Sequence, residues 1–198
     1  MNTGVVSIDA VAIGASAGGI EAIGALLAAL PSPYVPALLV VLHVPPDRPS
    51  AVPALFAGRC RLPVREALDK ETIEPGTVYI APPDYHMLVE PERLIALSKD
   101  APVDFSRPSI DVMFESAALA YGERLLGIVL TGANADGARG LAAIRREGGR
   151  AWVQRPEEAL ASAMPAAAIE VAGADLVLSV PDMAQRLAHL RSGRFLAI

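Results

Sequence analysis

Three short apolar runs, Ala10-Val-Ala-Ile13, Ala37-Leu-Leu-Val-Val-Leu42 and Leu125-Leu-Gly-Ile-Val-Leu130, restrict the fold of this chain more than any other feature. Each is shorter than an ordinary helix and lacks polar residues, the pattern of a strand buried on both faces. A turn and a helical segment follow each run. After the first, Ile20, Ile23, Leu26, Leu27 and Leu30 recur at helical spacing. After the second, Pro45-Pro-Asp-Arg-Pro49 forms a loop and Ser50 caps a helix ending near Arg59. After the third, Thr131-Gly-Ala-Asn-Ala-Asp-Gly137 leads into a helix over 138–147, stopped by Gly148-Gly149. Strands alternating with helices predict an α/β fold: a doubly wound, mainly parallel sheet with helices on both faces, three layers in all.

The rest of the chain fits that plan. Residues 62–66, 77–80, 151–154 and 176–179 read as further strands, and residues 156–172 as largely helical. Ser109 caps a helix to Tyr121 whose buried face is Ile110, Met113, Phe114, Ala117, Ala118 and Tyr121, and Pro181 opens a last helix. Residues 86–90 and 94–97 predict one antiparallel hairpin, and 98–108 a long polar loop of the kind that often carries function. With no repeat or linker, residues 1–198 read as one domain.

Several function classes drop out. A net charge of −5 gives no basic footprint for nucleic acid. Cys60 is the only cysteine, so neither a disulfide framework nor a Cys-rich zinc site is expected. The three histidines are not spaced as paired ligands and no Asp-rich calcium loop occurs, so no metal and no cofactor is expected. No apolar stretch approaches the roughly 20 residues of a membrane span, and no signal peptide is visible. The expectation is a cytoplasmic monomer that does not insert into membranes.

The turn after the first strand carries the chemistry. Gly14-Ala-Ser-Ala-Gly18 fits G-x-S-x-G, a sharp strand-to-helix turn that exposes a serine oxygen beside backbone N–H groups. Two other readings compete. The turn resembles a dinucleotide fingerprint with Ser16 in place of the middle glycine, which leaves a phosphate cradle open. Ser16 also suits a plain helix N-cap.

Strand ends decide which residues join it. In open α/β sheets the site lies beyond the carboxyl ends of the strands. Ser16 follows the first strand, His43 ends the second, and Asp136 follows the strand at 125–130. A serine needs a base to take its proton, imidazole titrates near neutrality, and a carboxylate holds the ring and stabilises the imidazolium. The order Ser, His, Asp differs from the Ser, Asp, His order of α/β-hydrolases. His189 reads as a helix-end cation, and His86 as a residue lining the site or the surface. Asp47, Asp84, Asp104 and Asp111 are rival acids, Asp111 the weakest because it fits a first-turn helix position. Asp136 also suits the N-cap of the helix that follows it.

Gly14-Ala-Ser-Ala-Gly-Gly19, Leu42-His-Val-Pro45, Pro75-Gly-Thr-Val-Tyr-Ile-Ala-Pro82 with His86, Arg107-Pro-Ser-Ile-Asp111, Leu130-Thr-Gly132 with Asp136-Gly-Ala138, and Met164-Pro165 with Ala168-Ile-Glu170 occur in that order. Together they resemble the catalytic domain of the chemotaxis protein-glutamate methylesterases, the CheB family, over residues 11–190. The resemblance implies a serine hydrolase that removes methyl groups from γ-glutamyl methyl esters on the cytoplasmic helices of chemoreceptors, its partners. Family members also deamidate certain receptor glutamines. It maps the catalytic roles onto Ser16, His43 and Asp136, and oxyanion donors onto Ala17 and the 132–134 turn, including Ala133 and Asn134. Asn134, His86 and Arg107 are the residues expected on the substrate-facing rim.

Two departures stand out. Ser16-Ala-Gly-Gly19 replaces the family's common Ser-Thr-Gly-Gly, and Thr131-Gly-Ala-Asn134 replaces Thr-Gly-Met-Gly. A catalytically degenerate, receptor-binding scaffold is therefore an alternative, as is a phosphate- or nucleotide-binding module on the glycine loop. The receiver domain that family members commonly carry is not expected here.

Overall fold

The computed structural model describes residues 5–44, 51–190 and 194–196. In chain order the elements are β1 (Val5–Ser7), β2 (Ala10–Ala15), α1 (Gly19–Ala29), β3 (Ala37–Leu42), α2 (Val52–Ala57), β4 (Val64–Glu66), β5 (Val78–Ile80), β6 (His86–Val89), β7 (Ile95–Ser98), α3 (Ile110–Tyr121), β8 (Leu125–Val129), α4 (Ala138–Arg146), β9 (Arg150–Gln154), α5 (Ala163–Ala172), β10 (Leu176–Leu178), α6 (Val180–His189) and β11 (Arg194–Leu196). Seven strands form one sheet in the order β10-β9-β8-β2-β3-β5-β4, and every pairing within it is parallel.

The three apolar runs become the central strands because none of their residues meets water. Every residue of β2, β3 and β8 is buried. Alternate side chains feed two cores, one on each side of the sheet. Val11, Ile13, Leu38 and Val40 meet Ile23, Leu26 and Leu27 of α1 and Met183 and Leu187 of α6. Ala12, Leu39 and Val129 meet Met113 and Phe114 of α3, Leu141 and Ile144 of α4 and Met164 of α5. The antiparallel hairpin β6–β7 lies on the α3 side, with the Val89 N–H donating to Ser116 Oγ at 3.1 Å.

From β2 the chain crosses to β3 on one side, whereas from β8 it crosses to β9 on the other. β2 and β8 are neighbours, so their carboxyl ends form the switch point where loops diverge and a crevice opens.

Three local expectations are refined. Residues 156–172 are largely helical as expected, but in two pieces: a short 3₁₀ turn covers Pro156–Glu158 and α5 begins only at Ala163. Hydrogen bonds to the loop after β8 hold the interruption at Ala161, whose N–H donates to Thr131 Oγ1 at 2.9 Å and whose carbonyl accepts from the Gly132 N–H at 3.0 Å. Ile20, although at helical spacing, is 37% exposed. The helix expected after Ser50 is α2; its N-cap position is Ala51, with no side-chain cap, and Ser50 lies outside the described residues. The pairing of β1 with β11, antiparallel and bringing the two ends of the chain together, was not foreseen in the sequence. Among the described residues no helix is long and apolar enough to cross a membrane.

Candidate active site

Ser16 lies at the switch point. β2 ends at Ala15 and α1 begins at Gly19, so a three-residue turn reverses the chain. Gly18 makes the turn feasible: its φ of 80° is left-handed, a region that side chains with a Cβ enter at a cost. It is Gly18, not Ser16, that occupies the N-cap position of α1, and no side chain caps that end. The plain N-cap reading of Ser16 therefore does not hold. Ser16 is half-buried, and among the described residues its hydroxyl has no hydrogen-bond partner.

The sheet register brings His43 beside it. Ala15 pairs with Leu42, so the next residues along the two parallel strands, Ser16 and His43, are neighbours about 4.8 Å apart along the backbone. The His43 N–H donates to Ala15 O at 3.1 Å. On the other side, the Ser16 N–H donates to Thr131 O at 2.9 Å, tying the serine to the end of β8. His43 Nε2 lies 2.9 Å from Asp136 Oδ2. With Nε2 engaged by the carboxylate, Nδ1 is the nitrogen left to receive a proton from Ser16.

Asp136 is fully buried and its carboxylate accepts four hydrogen bonds. Oδ1 takes Ser109 Oγ at 2.9 Å and the Asp111 N–H at 2.9 Å. Oδ2 takes the Ile110 N–H at 2.7 Å besides the His43 ring. Asp136 therefore caps α3, a different helix from the one it precedes. α4 has Gly137 at its N-cap position, with a φ of 97° and no cap from its own flank. Burial pushes the Asp136 carboxyl up, but the His43 ring and the Asp111 and Ile110 amides outweigh it and hold the pKa below the ordinary 3.8.

Of the rival acids, Asp84 is engaged by Arg107, Asp104 by Arg139, and Asp111 by Arg139 and the start of α4. Asp47 lies outside the described residues.

The turns after β2 and β8 carry free backbone donors. Among the described residues the N–H groups of Ala17, Ala133 and Asn134 have no acceptor. Gly132 differs, because its N–H donates to Ala161 O at 3.0 Å. The Asn134 side chain ties its own turn to the 98–108 loop, Oδ1 accepting from the Asp136 N–H at 3.3 Å and Nδ2 reaching Ser106 Oγ at 3.5 Å.

Arg107 sits beside His43 in a pocket of about 200 Å³ that also contains Val44, Asp84 and Phe105. Its guanidinium is bound to Asp84 (Nε at 3.1 Å, Nη2 at 2.5 Å) and donates from Nη1 to the carbonyls of Lys99 and Asp100. His86 is not on the rim: it is buried, and both ring nitrogens are occupied. Nδ1 accepts from the Ser109 N–H at 3.2 Å, which leaves the ring proton on Nε2 to be donated to Ala101 O at 3.1 Å. The ring thus pins the loop at 98–108 to the start of α3.

Two residues of this site escaped the sequence reading. Thr131 is buried, donates from Oγ1 to Ala17 O at 2.8 Å and accepts from the Ala161 N–H at 2.9 Å. Gln154 Oε1 accepts from the Thr131 N–H at 2.8 Å. Together they fix the serine turn to the loop after β9. The one sequence signal for them is position, since both sit at strand ends.

Known proteins match this architecture. Residues 11–187 match the CheB methylesterase family. The chain is 41% identical to a putative protein-glutamate methylesterase/protein-glutamine glutaminase of Leptospira interrogans, over 92% of this chain and 94% of that one. It is 39% identical to protein-glutamate methylesterase/protein-glutamine glutaminase 3 of Burkholderia lata, over 88% of this chain but 49% of that longer protein. The crystal structure of the Thermotoga maritima CheB methylesterase catalytic domain superposes with a TM-score of 0.87 at 30% identity, covering 93% of this chain and 100% of that one. These matches favour the hydrolase reading of the glycine turn over a phosphate cradle. The chain belongs to the CheB methylesterase family.

Proposed function

We propose that this protein is a serine hydrolase, a protein-glutamate methylesterase that also has the means to act as a protein-glutamine glutaminase, on the cytoplasmic helices of chemoreceptors. The observation that carries the assignment is the Asp136–His43 contact at 2.9 Å, with Ser16 at the adjoining register position. Ser16 Oγ attacks the γ-carbonyl of the methylated glutamate, and its proton passes to His43 Nδ1. Asp136 holds the ring through Nε2 and stabilises the imidazolium. The oxyanion of the tetrahedral intermediate is met by the free N–H groups of Ala17 and of the Ala133–Asn134 turn, donors of a kind worth roughly 10²–10³ in rate. The proton on His43 leaves with methanol, and an acyl-enzyme remains on Ser16. Water, deprotonated by His43, then releases glutamate. A glutamine side chain follows the same course with ammonia as the leaving group.

The test is methanol release from a methylated receptor cytoplasmic fragment by the wild type, Ser16→Ala and His43→Ala. Release that falls by orders of magnitude in both variants supports the hydrolase. A wild type that binds the fragment yet releases no more than the variants makes the protein a receptor-binding scaffold.

A further inference from the structure

Two large apolar side chains stand in water on either side of Ser16. Phe105 is 104% exposed and Leu160 is 81% exposed. Phe105 lines the pocket that contains His43 and Val44, beyond β3. Leu160 follows β9 and packs over the serine turn: a Cβ added at Gly18 would lie 2.9 Å from Leu160 Cβ. In the sheet order β9-β8-β2-β3, the serine at the end of β2 falls between them.

Phe105 is held in place deliberately. Val103 and Ser106 exchange both backbone hydrogen bonds, N to O at 3.1 and 2.8 Å, around a two-residue turn. Asp104 and Phe105 have φ of 48° and 63°, the left-handed pair of a type I′ turn, where Asn and Gly are the usual occupants. A bulky aromatic in that conformation is a backbone outlier, and such outliers gather at functional sites. Asp104 is further tied to Arg139 Nη2 at 3.0 Å, and Arg139 Nε to the buried Asp111 at 2.9 Å. The tip is therefore anchored to the starts of α3 and α4, the same framework that positions Asp136. A loop backbone held in advance lowers the ordering entropy lost when a partner covers its tip.

We infer that Phe105 and Leu160 determine which helices the enzyme accepts, by clasping apolar side chains on either side of the modified residue. The inference rests on the methylesterase reading. Two to three strand spacings separate the two contacts, on the order of 10–15 Å. At 1.5 Å per residue this corresponds to about eight residues of helix. The occupant is thus a receptor helix laid across the strand ends, with the methylated glutamate at position i and apolar side chains near i−4 and i+4, all on one face.

The experiment is methanol release from a methylated receptor cytoplasmic fragment, with KM and kcat measured separately for wild type, Phe105→Ala, Phe105→Leu, Leu160→Ala and Leu160→Met. Both side chains are exposed, so truncation leaves the core untouched. The expected result is a KM raised about tenfold or more in each alanine variant, with kcat held within about twofold and most of the loss recovered in Phe105→Leu and Leu160→Met. A KM unchanged in both alanine variants, or a fall confined to kcat, overturns the inference and leaves the methylesterase reading standing. A wild type that releases no methanol removes that reading, and this inference with it.

Discussion

Asp136 and Asp111 cap each other's helices. The carboxylate of Asp136, which lies just ahead of α4, accepts the Asp111 N–H in the first turn of α3 at 2.9 Å. In return, Asp111 Oδ1 accepts the Gly137 N–H at 2.9 Å and the Gly140 N–H at 2.7 Å at the start of α4. Each negative charge sits at the positive end of the other's helix. The exchange places one of the two carboxylates, Asp136, within reach of His43 and leaves the other out of contact with it.

Asp136→Asn tests the link between that position and catalysis. An amide NH₂ in place of Oδ2 gives up the bond from the Ile110 N–H and turns a donor toward the His43 ring, so Nε2 must accept and the ring proton moves to Nδ1. The nitrogen facing Ser16 is then unable to take a proton. We expect kcat for methyl-ester hydrolysis to fall by about 10³–10⁴, measured by methanol release at fixed pH.

Asp111 separates packing from charge. Asp111→Ala leaves the Gly137 and Gly140 N–H groups without acceptors and is expected to cost about 2–4 kcal/mol in urea unfolding. Asp111→Asn keeps a carbonyl oxygen for both amides and gives up the half-exposed Arg139 contact, so its cost should stay below about 1.5 kcal/mol. Equal losses in the two variants would place the contribution in the charge, not in the capping.

The same pair leaves opposite marks on acid stability. Burial raises the Asp111 pKa above 3.8, so the native state takes up that proton before the unfolded chain does. Its contribution is fully present below 3.8 and is lost as pH rises through the folded pKa. The Asp136 pKa is depressed, so its contribution is present above 3.8 and is lost as pH falls through the folded value. Urea midpoints measured from pH 6 down to pH 2.5 should therefore fall more steeply below pH 4 in the wild type than in Asp136→Asn.

Gly18→Ala bears on the serine turn. A left-handed alanine costs about 1–2 kcal/mol, and its Cβ would also displace Leu160. Thermal unfolding should shift modestly, while methanol release should fall by more than the stability loss explains, because the Ala17 N–H is carried by the same turn.

The sequence revealed the central strands and the ends that carry Ser16, His43 and Asp136, because buried parallel strands declare themselves as unbroken apolar runs. It was less informative about where polar side chains point. Asn134-Ala-Asp-Gly137 reads as local turn chemistry, and only the tertiary approach of α3 shows that Asp136 caps a distant helix. His86 was expected at the rim and lies beneath it, since nothing local distinguishes a hairpin histidine that faces water from one pinned between Ser109 and Ala101. The helical stretch at 156–172 is interrupted at 159–162, where Thr131 and Gly132 take both backbone hydrogen bonds of Ala161. β1 and β11 are three-residue strands from opposite ends of the chain, too short for any period to register.

Two of the four bonds to the Asp136 carboxylate come from the main chain, at Ile110 and Asp111. An amide donor is present whatever side chain the residue bears, and proline alone removes it. The donors to the acid are therefore buffered against mutation: drift at positions 110 and 111 changes packing, the Arg139 contact or the Asp111 cap on α4 while the two donors persist. The oxyanion donors at Ala17, Ala133 and Asn134 are main-chain N–H groups as well, so side-chain change at those three positions is expected to leave the donors in place, while the one exchangeable partner of the carboxylate's charge is the His43 ring.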